Sequence, residues 1–390
     1  MLRFIKTKNI LIVLIFSIIT FLLYTFSRGF LTNKPVIKDV VENKNYFPVN
    51  LQGHQFQNPF KEGFESLGFY LFTKDDELLC VQLSFGHLGF YNQLELSYLI
   101  IPSATKSPSN TFKSISCPIK SFKVENNGLK VITDCLDIET ILDEDTGKSK
   151  KLVKFKELSL ITGSFEFNSV DSGIQTWNED GIVHIGEDEG SRNYIKKNYI
   201  VSNNVKGRVI ISDREIDLTG DGIQGLMKTG VIPNLIYKKL NFVVFKSKTK
   251  KLVLFHLMSN NDDTSENEDS RVGYCFLYNG NDLEFVTTDY NLTLEEYSDE
   301  ESGHSIIKNA HLKVRNNRND QDYSLVLEDI EPIFKICILD VLPTMLKKIV
   351  QALITNPYIF TYYQPSKLVI KWNGGNINDE GVSLIYSNYL

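Results

Sequence analysis

The sequence predicts a mainly β chain made of two copies of one antiparallel β-domain, each a barrel or a sandwich. Three observations carry this. First, a hairpin pattern occurs twice. Leu67–Leu83 reads LGFYLFTKDDELLCVQL and Leu240–Leu257 reads LNFVVFKSKTKKLVLFHL. The Leu67, Phe69, Phe72 spacing returns as Leu240, Phe242, Phe245, and charged residues fill both turns. Such a long separation is a domain period, not a solenoid period. Second, 42% of residues are hydrophobic and Phe (25) and Tyr (18) are abundant, which suits a β-rich core. Third, short alternating segments are separated by turn signals, with a single clear helix near the end.

Residues 1–35 read as a membrane anchor. Arg3, Lys6 and Lys8 precede an uncharged run, ILIVLIFSIITFLLYTF, in which Ile10, Leu14, Ile18, Leu22 and Phe26 mark the span. The run is near the lower end of the 17 to about 25 residues that cross a bilayer. A cleaved signal would need small residues where Tyr24, Thr25 and Phe26 stand, and an interfacial helix would need a polar face. Residues 36–59, with Pro48 and Pro59, read as a linker.

The first domain is expected over 60–205. Strands are expected near 67–73, 78–85, 93–101, 118–124, 128–134, 137–142, 152–162 and 164–168. Asp75-Asp76, Asn126-Asn127-Gly128 and Asp143–Gly147 supply turns between them. Residues 170–205 are turn-rich and acidic. The second domain is expected over 206–390, interrupted by acidic loops at Asp262–Asp269 and Glu295–Glu301. Met345, Leu346, Ile349, Val350, Leu353 and Ile354 form a helical stripe that would cover one mouth of the second barrel, and Asn356-Pro357 ends it. A last hairpin turns through Asn373-Gly374-Gly375.

The net charge of −6 and the lack of a basic stripe exclude a nucleic-acid partner. Cys80, Cys117, Cys135, Cys275 and Cys337 have no metal-ligand spacing and read as buried free thiols. Gly220-Asp221-Gly222-Ile223-Gln224-Gly225 matches a dinucleotide fingerprint, but Gly230 and Pro233 cut short the helix it needs, and no acid follows between Leu226 and Asn261. The calcium-loop start at Asp217 fails because Lys228 holds position twelve. No metal, cofactor or catalytic motif is recognised, so the chain reads as not an enzyme. Alternation puts Leu67, Phe69 and Leu71 on one face of the first hairpin, and Leu240, Phe242 and Val244 on one face of the second. These six are the candidate ligand-lining residues.

Several stretches resemble the fungal survival factor 1 family: Glu65–Phe72, Gln224–Lys228, Asn241-Phe242, the run from Pro343 through Lys371–Gly375, and Met1–Ile5. The resemblance spans most of residues 60–390. It implies two tandem lipocalin-like antiparallel β-barrels. It also implies a role in sphingolipid or ceramide-class lipid binding or transfer, linked to survival under oxidative stress. Where the family pattern has Lys-Pro-His-His, this chain has Thr229-Gly230-Val231-Ile232, so no histidine role carries over. The family's amphipathic start is here an apolar run. The expected protein is therefore a single-pass endomembrane protein of the endoplasmic reticulum or Golgi. Its partners would be the bilayer and a sphingolipid-class ligand. Its barrels are expected in the cytosol, since the cysteine count is odd and Asn291-Leu292-Thr293 is the one glycosylation sequon. The alternative reading is a non-enzymatic scaffold whose barrels are filled and whose acidic loops bind partners.

Overall fold

The structure is a computed structural model. It describes residues 46–56, 63–87, 92–103, 113–156, 161–176, 181–184, 194–211, 213–231, 233, 236–259, 271–316, 321–341, 344–353, 356–372 and 375–390. The expected anchor, with Ile10, Leu14, Ile18, Leu22 and Phe26, lies outside these residues, as does the acidic loop Asp262–Asp269. Among the described residues no helix is long and apolar enough to cross a membrane.

Two antiparallel sheets make up the fold. The first contains β1 (Tyr46–Pro48), β2 (Phe64–Thr73), β3 (Leu78–His87), β4 (Asn92–Ile101), β5 (Lys113–Pro118), β6 (Phe122–Glu125), β7 (Lys130–Thr133), β8 (Leu136–Leu142), β9 (Ser149–Phe155), β10 (Ile161–Ser169), β11 (Ile174–Thr176), β12 (Ile182–His184), β13 (Tyr194–Ile211), β14 (Arg214–Asp217) and β15 (Gly220–Thr229). The second contains β16 (Tyr237–Ser247), β17 (Lys250–Ser259), β18 (Arg271–Asn279), β19 (Asp282–Thr287), β20 (Tyr290–Ser298), β21 (Ser305–Asn316), β22 (Gln321–Leu327), β23 (Phe334–Cys337), β24 (Tyr358–Trp372) and β25 (Gly375–Tyr389). The short helix α1 (Leu51–His54) precedes β2, and α2 (Thr344–Leu353) precedes β24.

The duplication is real at the level of topology. The first sheet runs β5-β4-β3-β2-β15-β13-β10-β9-β8 before its extra strands β7 and β6, and the second runs β19-β18-β17-β16-β25-β24-β22-β21-β20. Strand for strand the two orders correspond, so β2 and β16 hold the same place. Each sheet curls around its own apolar interior.

Three apolar clusters result. Leu67, Phe69 and Leu71 lie inside the first barrel with Phe155, Phe165 and Phe167. Val243, Phe245, Leu252, Leu254, Phe285, Tyr323 and Phe360 fill the second. A third cluster packs the outer face of β2, β13 and β15 against that of β16, β17 and β25. Leu240, Phe242 and Val244 belong to this seam. The sequence alignment of the two hairpins therefore needs correction. In the first turn Thr73 N–H donates to Glu77 O, leaving Lys74, Asp75 and Asp76 to span it, with Asp76 left-handed at φ 57°. In the second, two residues, Lys248 and Thr249, separate the strands. One residue fewer shifts the register, and a shift of one exchanges the faces of a strand. Phe69 thus corresponds to Val243 and Leu71 to Phe245, while Phe242 faces out.

Other differences have local causes. The expected linker ends inside the first barrel: β1 pairs with β11, and Val49, His54 and Phe56 are buried. The turn-rich stretch 170–205 holds most of β13, whose bulge between Ile200 and Asn203 absorbs the irregular pattern. The junction expected at 205–206 falls within β13, and the first sheet continues to Thr229. Glu295 and Glu296 are in β20, not a loop. Met345 of the helical stripe is 76% exposed, so that residue does not cover the barrel. Gly220–Gly225 is strand, not a nucleotide loop. A Cβ at Gly222 would lie 2.3 Å from the Phe167 ring and 2.6 Å from Val205, so this glycine admits the core. Cys80, Cys275 and Cys337 are buried free thiols, and Cys135 is buried as well.

The seam also carries polar links. Tyr363 OH donates to Asp76 O at 3.0 Å, Ser202 Oγ to Asn281 Oδ1 at 2.7 Å, and Lys251 Nζ meets Asp221 at 3.1 Å. Tyr199 stacks on Phe242 with centroids 5.7 Å apart, and Phe242 meets Tyr70 at 5.0 Å.

Candidate functional site

The barrel interiors are largely occupied by their own side chains. In the first, Phe69 lies 5.7 Å from Phe165 and 5.1 Å from Phe167, and Phe155 lies 5.9 Å from Phe165, ring to ring. Room for a ligand is found at the ends.

One cavity, of about 470 Å³, opens at the mouth of the second barrel. That size falls in the range of small-molecule pockets. Tyr323 and Ile370, both members of the interior cluster, line it, and Trp372 and Ile377 extend its apolar wall to the rim. Trp372 is 37% exposed and Ile377 53%. This wall arises because β24 and β25 pair through to Trp372–Gly375, with Ile377 opposite Ile370. Period-two alternation then puts Ile370, Trp372 and Ile377 on one face.

The opposite wall is polar. Lys250 Nζ and Glu284 Oε2 form an ion pair at 2.6 Å. Tyr323 OH lies 2.7 Å from both Glu284 Oε1 and Gln321 Oε1. Asp379 accepts from Ser247 Oγ at 2.6 Å and Thr249 Oγ1 at 2.9 Å, which fixes the β16–β17 turn against β25. The cavity is thus amphipathic, with apolar depth and fixed hydrogen-bonding groups along one side. It needs strands far apart in the chain, and none of the six candidate lining residues contributes to it. Leu67, Phe69 and Leu71 are in the first interior, and Leu240, Phe242 and Val244 are at the seam.

The end of each barrel away from the repeated hairpin turn holds an ion pair built on a buried lysine. In the first, Lys228 and Glu65 are 3.2 Å apart with side chains 7% and 1% exposed, and Lys228 Nζ also donates to Gln55 O at 2.6 Å. Burial lowers the Lys228 pKa, while Glu65 opposes that shift. In the second, Lys239 pairs with Glu296, which also accepts from Tyr389 OH at 3.0 Å. Segment Val49–Phe56 borders a second cavity of about 20 Å³, lined by His54, Leu67, Lys151, Asn198 and Gln224 among others. Lys151 is 3% exposed. Lys151 Nζ donates to Thr140 Oγ1 at 2.9 Å, and burial, reinforced by nearby Lys228, brings its pKa down to about 7. Burial, with the charge of Lys151, brings His54 down to about 3.

Sequence reasoning did not single out Lys151, Lys228 or Glu65. A signal was present: Lys151 has the phase of Val153 and Phe155, and Glu65 that of Leu67 and Phe69, so both charges fall on inward faces.

Two curled sheets in matching strand order, with a ligand-sized mouth, define a tandem lipocalin-like barrel protein of the binding type. Solved structures share the fold. CghA superposes with a TM-score of 0.55 at 10% identity, over 92% of this chain and 96% of that chain. Kievitone hydratase from Nectria haematococca gives 0.53 at 12%, over 91% and 97%. A putative AttH from Nitrosomonas europaea gives 0.51 at 10%, over 90% and 98%. The chain belongs to the Svf1 family, whose model matches residues 27–388. No individual curated sequence matches it. The reading of the chain as not an enzyme is corrected by these neighbours. Kievitone hydratase is an enzyme by name, so this fold accommodates catalysis.

Proposed function

We propose that this protein binds an amphipathic lipid of the sphingolipid or ceramide class at the mouth of the second barrel. The observation that carries the reading is the amphipathic cavity of about 470 Å³, with Ile370, Trp372 and Ile377 facing Lys250, Glu284 and Gln321. An acyl chain would lie on the apolar wall, and hydroxyl and amide groups would meet the polar one. Membership of the Svf1 family supports the lipid class, and the structure of CghA with Sch210972 is an example of this fold with a small molecule. The family's link to oxidative-stress survival and to transfer between membranes belongs to the same proposal. So does the anchor at Ile10–Phe26, with the barrels on the cytosolic side of an endoplasmic reticulum or Golgi membrane.

The test is extraction and mass spectrometry of lipid from the purified full chain, with Ile377→Asp as the comparison. Ile377 is exposed, so the substitution spares the core while placing a charge on the apolar wall. Wild type should retain sphingolipid and the variant should lose most of it. Equal recovery from both, or none above a control protein from wild type, would refute the reading. A glycosylation sequon placed within Asp262–Asp269 tests sidedness. A gel shift reversed by glycosidase would put the barrels in the lumen.

A further inference from the structure

The small cavity of the first barrel is walled on its polar side by His54, Lys151, Asn198 and Gln224. Each is more than nine-tenths buried. Among the described residues, three of their atoms have no hydrogen-bond partner: His54 Nε2, Asn198 Oδ1 and Gln224 Oε1. The amide orientations are set by hydrogen bonds to neighbouring groups. Asn198 Nδ2 donates to Gly53 O at 3.3 Å, and Gln224 Nε2 donates to Asn203 Oδ1 at 2.9 Å. Both unpartnered amide atoms are therefore acceptors. Lys151 Nζ gives one hydrogen to Thr140 Oγ1 and retains others.

This set discriminates by charge. Two acceptor oxygens turn away an anion. The Lys151 amine, with Lys228 close enough to act on it, turns away a cation. An apolar group would leave three buried polar atoms unsatisfied, and buried polar groups are almost always bonded. A neutral group that both gives and takes hydrogen bonds can accept from Lys151 and donate to an amide oxygen. The volume of about 20 Å³ admits one such group, since a water needs about 10–15 Å³.

We propose that this cavity is a binding site for one neutral hydrogen-bonding oxygen, either a water or the hydroxyl of a ligand, held by Lys151, Asn198, Gln224 and His54. The oxygen accepts from Lys151 Nζ and donates to Asn198 Oδ1 and Gln224 Oε1. Neutral His54 completes the set through Nε2. A water satisfies both amide oxygens; a hydroxyl satisfies one. The site is separate from the mouth of the second barrel and stands whether or not lipid binds there.

Crystallography of the full chain tests it directly. One oxygen peak within hydrogen-bond distance of Lys151 Nζ and Gln224 Oε1 is expected. An empty cavity, or a halide peak there after a bromide soak, overturns the proposal. Oxygen-17 relaxation dispersion provides the solution measurement. Lys151→Met should lose one long-lived internal water relative to wild type, and an unchanged count overturns the proposal. Methanol separates the two sources. If it displaces that water from wild type and leaves the Lys151→Met count unchanged, the site takes hydroxyls. If the wild-type count holds, water is the occupant.

Discussion

Replacing Lys151 with methionine should flatten the dependence of stability on pH above neutrality. In the fold the Lys151 amine is 3% exposed and its pKa is about 7, against an ordinary 10.5, because burial and then Lys228 disfavour its charge. In the unfolded chain it titrates near 10.5. Between these values the unfolded chain holds a proton that the folded chain has released. Stability therefore rises with pH across this window, and below it the cost of burying the amine is constant. The limiting slope is about 1.4 kcal/mol per pH unit. From about pH 7 to about pH 9 this amounts to about 2 kcal/mol, somewhat below the limit because the folded-state amine is half-titrated at the start. Urea unfolding of wild type and Lys151→Met at several pH values in this window measures it. Lys197, whose pKa burial also lowers to about 7, contributes equally to both proteins and cancels in the difference. Parallel pH profiles, or a wild-type stability that falls relative to the variant, would show that Lys151 is not titrating as a buried amine.

Glu65→Gln should cost about 3–5 kcal/mol in urea unfolding, because it leaves Lys228 buried without its carboxylate; adding Lys228→Met should recover most of that, and a single-variant loss below about 1 kcal/mol would contradict the pairing. Gly222→Ala should destabilise the first barrel by about 1–3 kcal/mol, since the new methyl meets the Phe167 ring and Val205; an unchanged unfolding midpoint would show that this contact is loose. Phe242→Ala should cost about 3–5 kcal/mol and uncouple the barrels, because Phe242 packs on Tyr199 and Tyr70 across the seam. Calorimetry should then resolve two transitions. A small loss with one unchanged transition would place Phe242 outside the coupling.

Much of the fold was legible locally. Alternation and turn residues located β2, β3, β4, β8 and the final hairpin, and the helix at Thr344–Leu353 followed from its stripe and from Asn356-Pro357. The repeat itself was visible in the two hairpins, and the family in the short stretches around them. β13 was missed because its bulge breaks the period at Ile200–Asn203. The polar ends of the barrels were missed because an inward lysine such as Lys151 looks like any strand lysine until its neighbours are known.

The sequence alone determined a duplicated, mainly β chain, since strand and turn preferences act over a few residues. It could not determine which face of the second hairpin points inward. That rests on one residue of turn length, which sent Phe242 to the seam and Phe245 to the core. Nor could it assemble the mouth that joins Lys250, Glu284, Gln321 and Ile377. Those residues meet because β16 pairs with β25 as well as with β17, closing the chain end onto the repeated hairpin. Contacts between residues so distant in sequence are a property of the sheet order, and only the tertiary structure decides it.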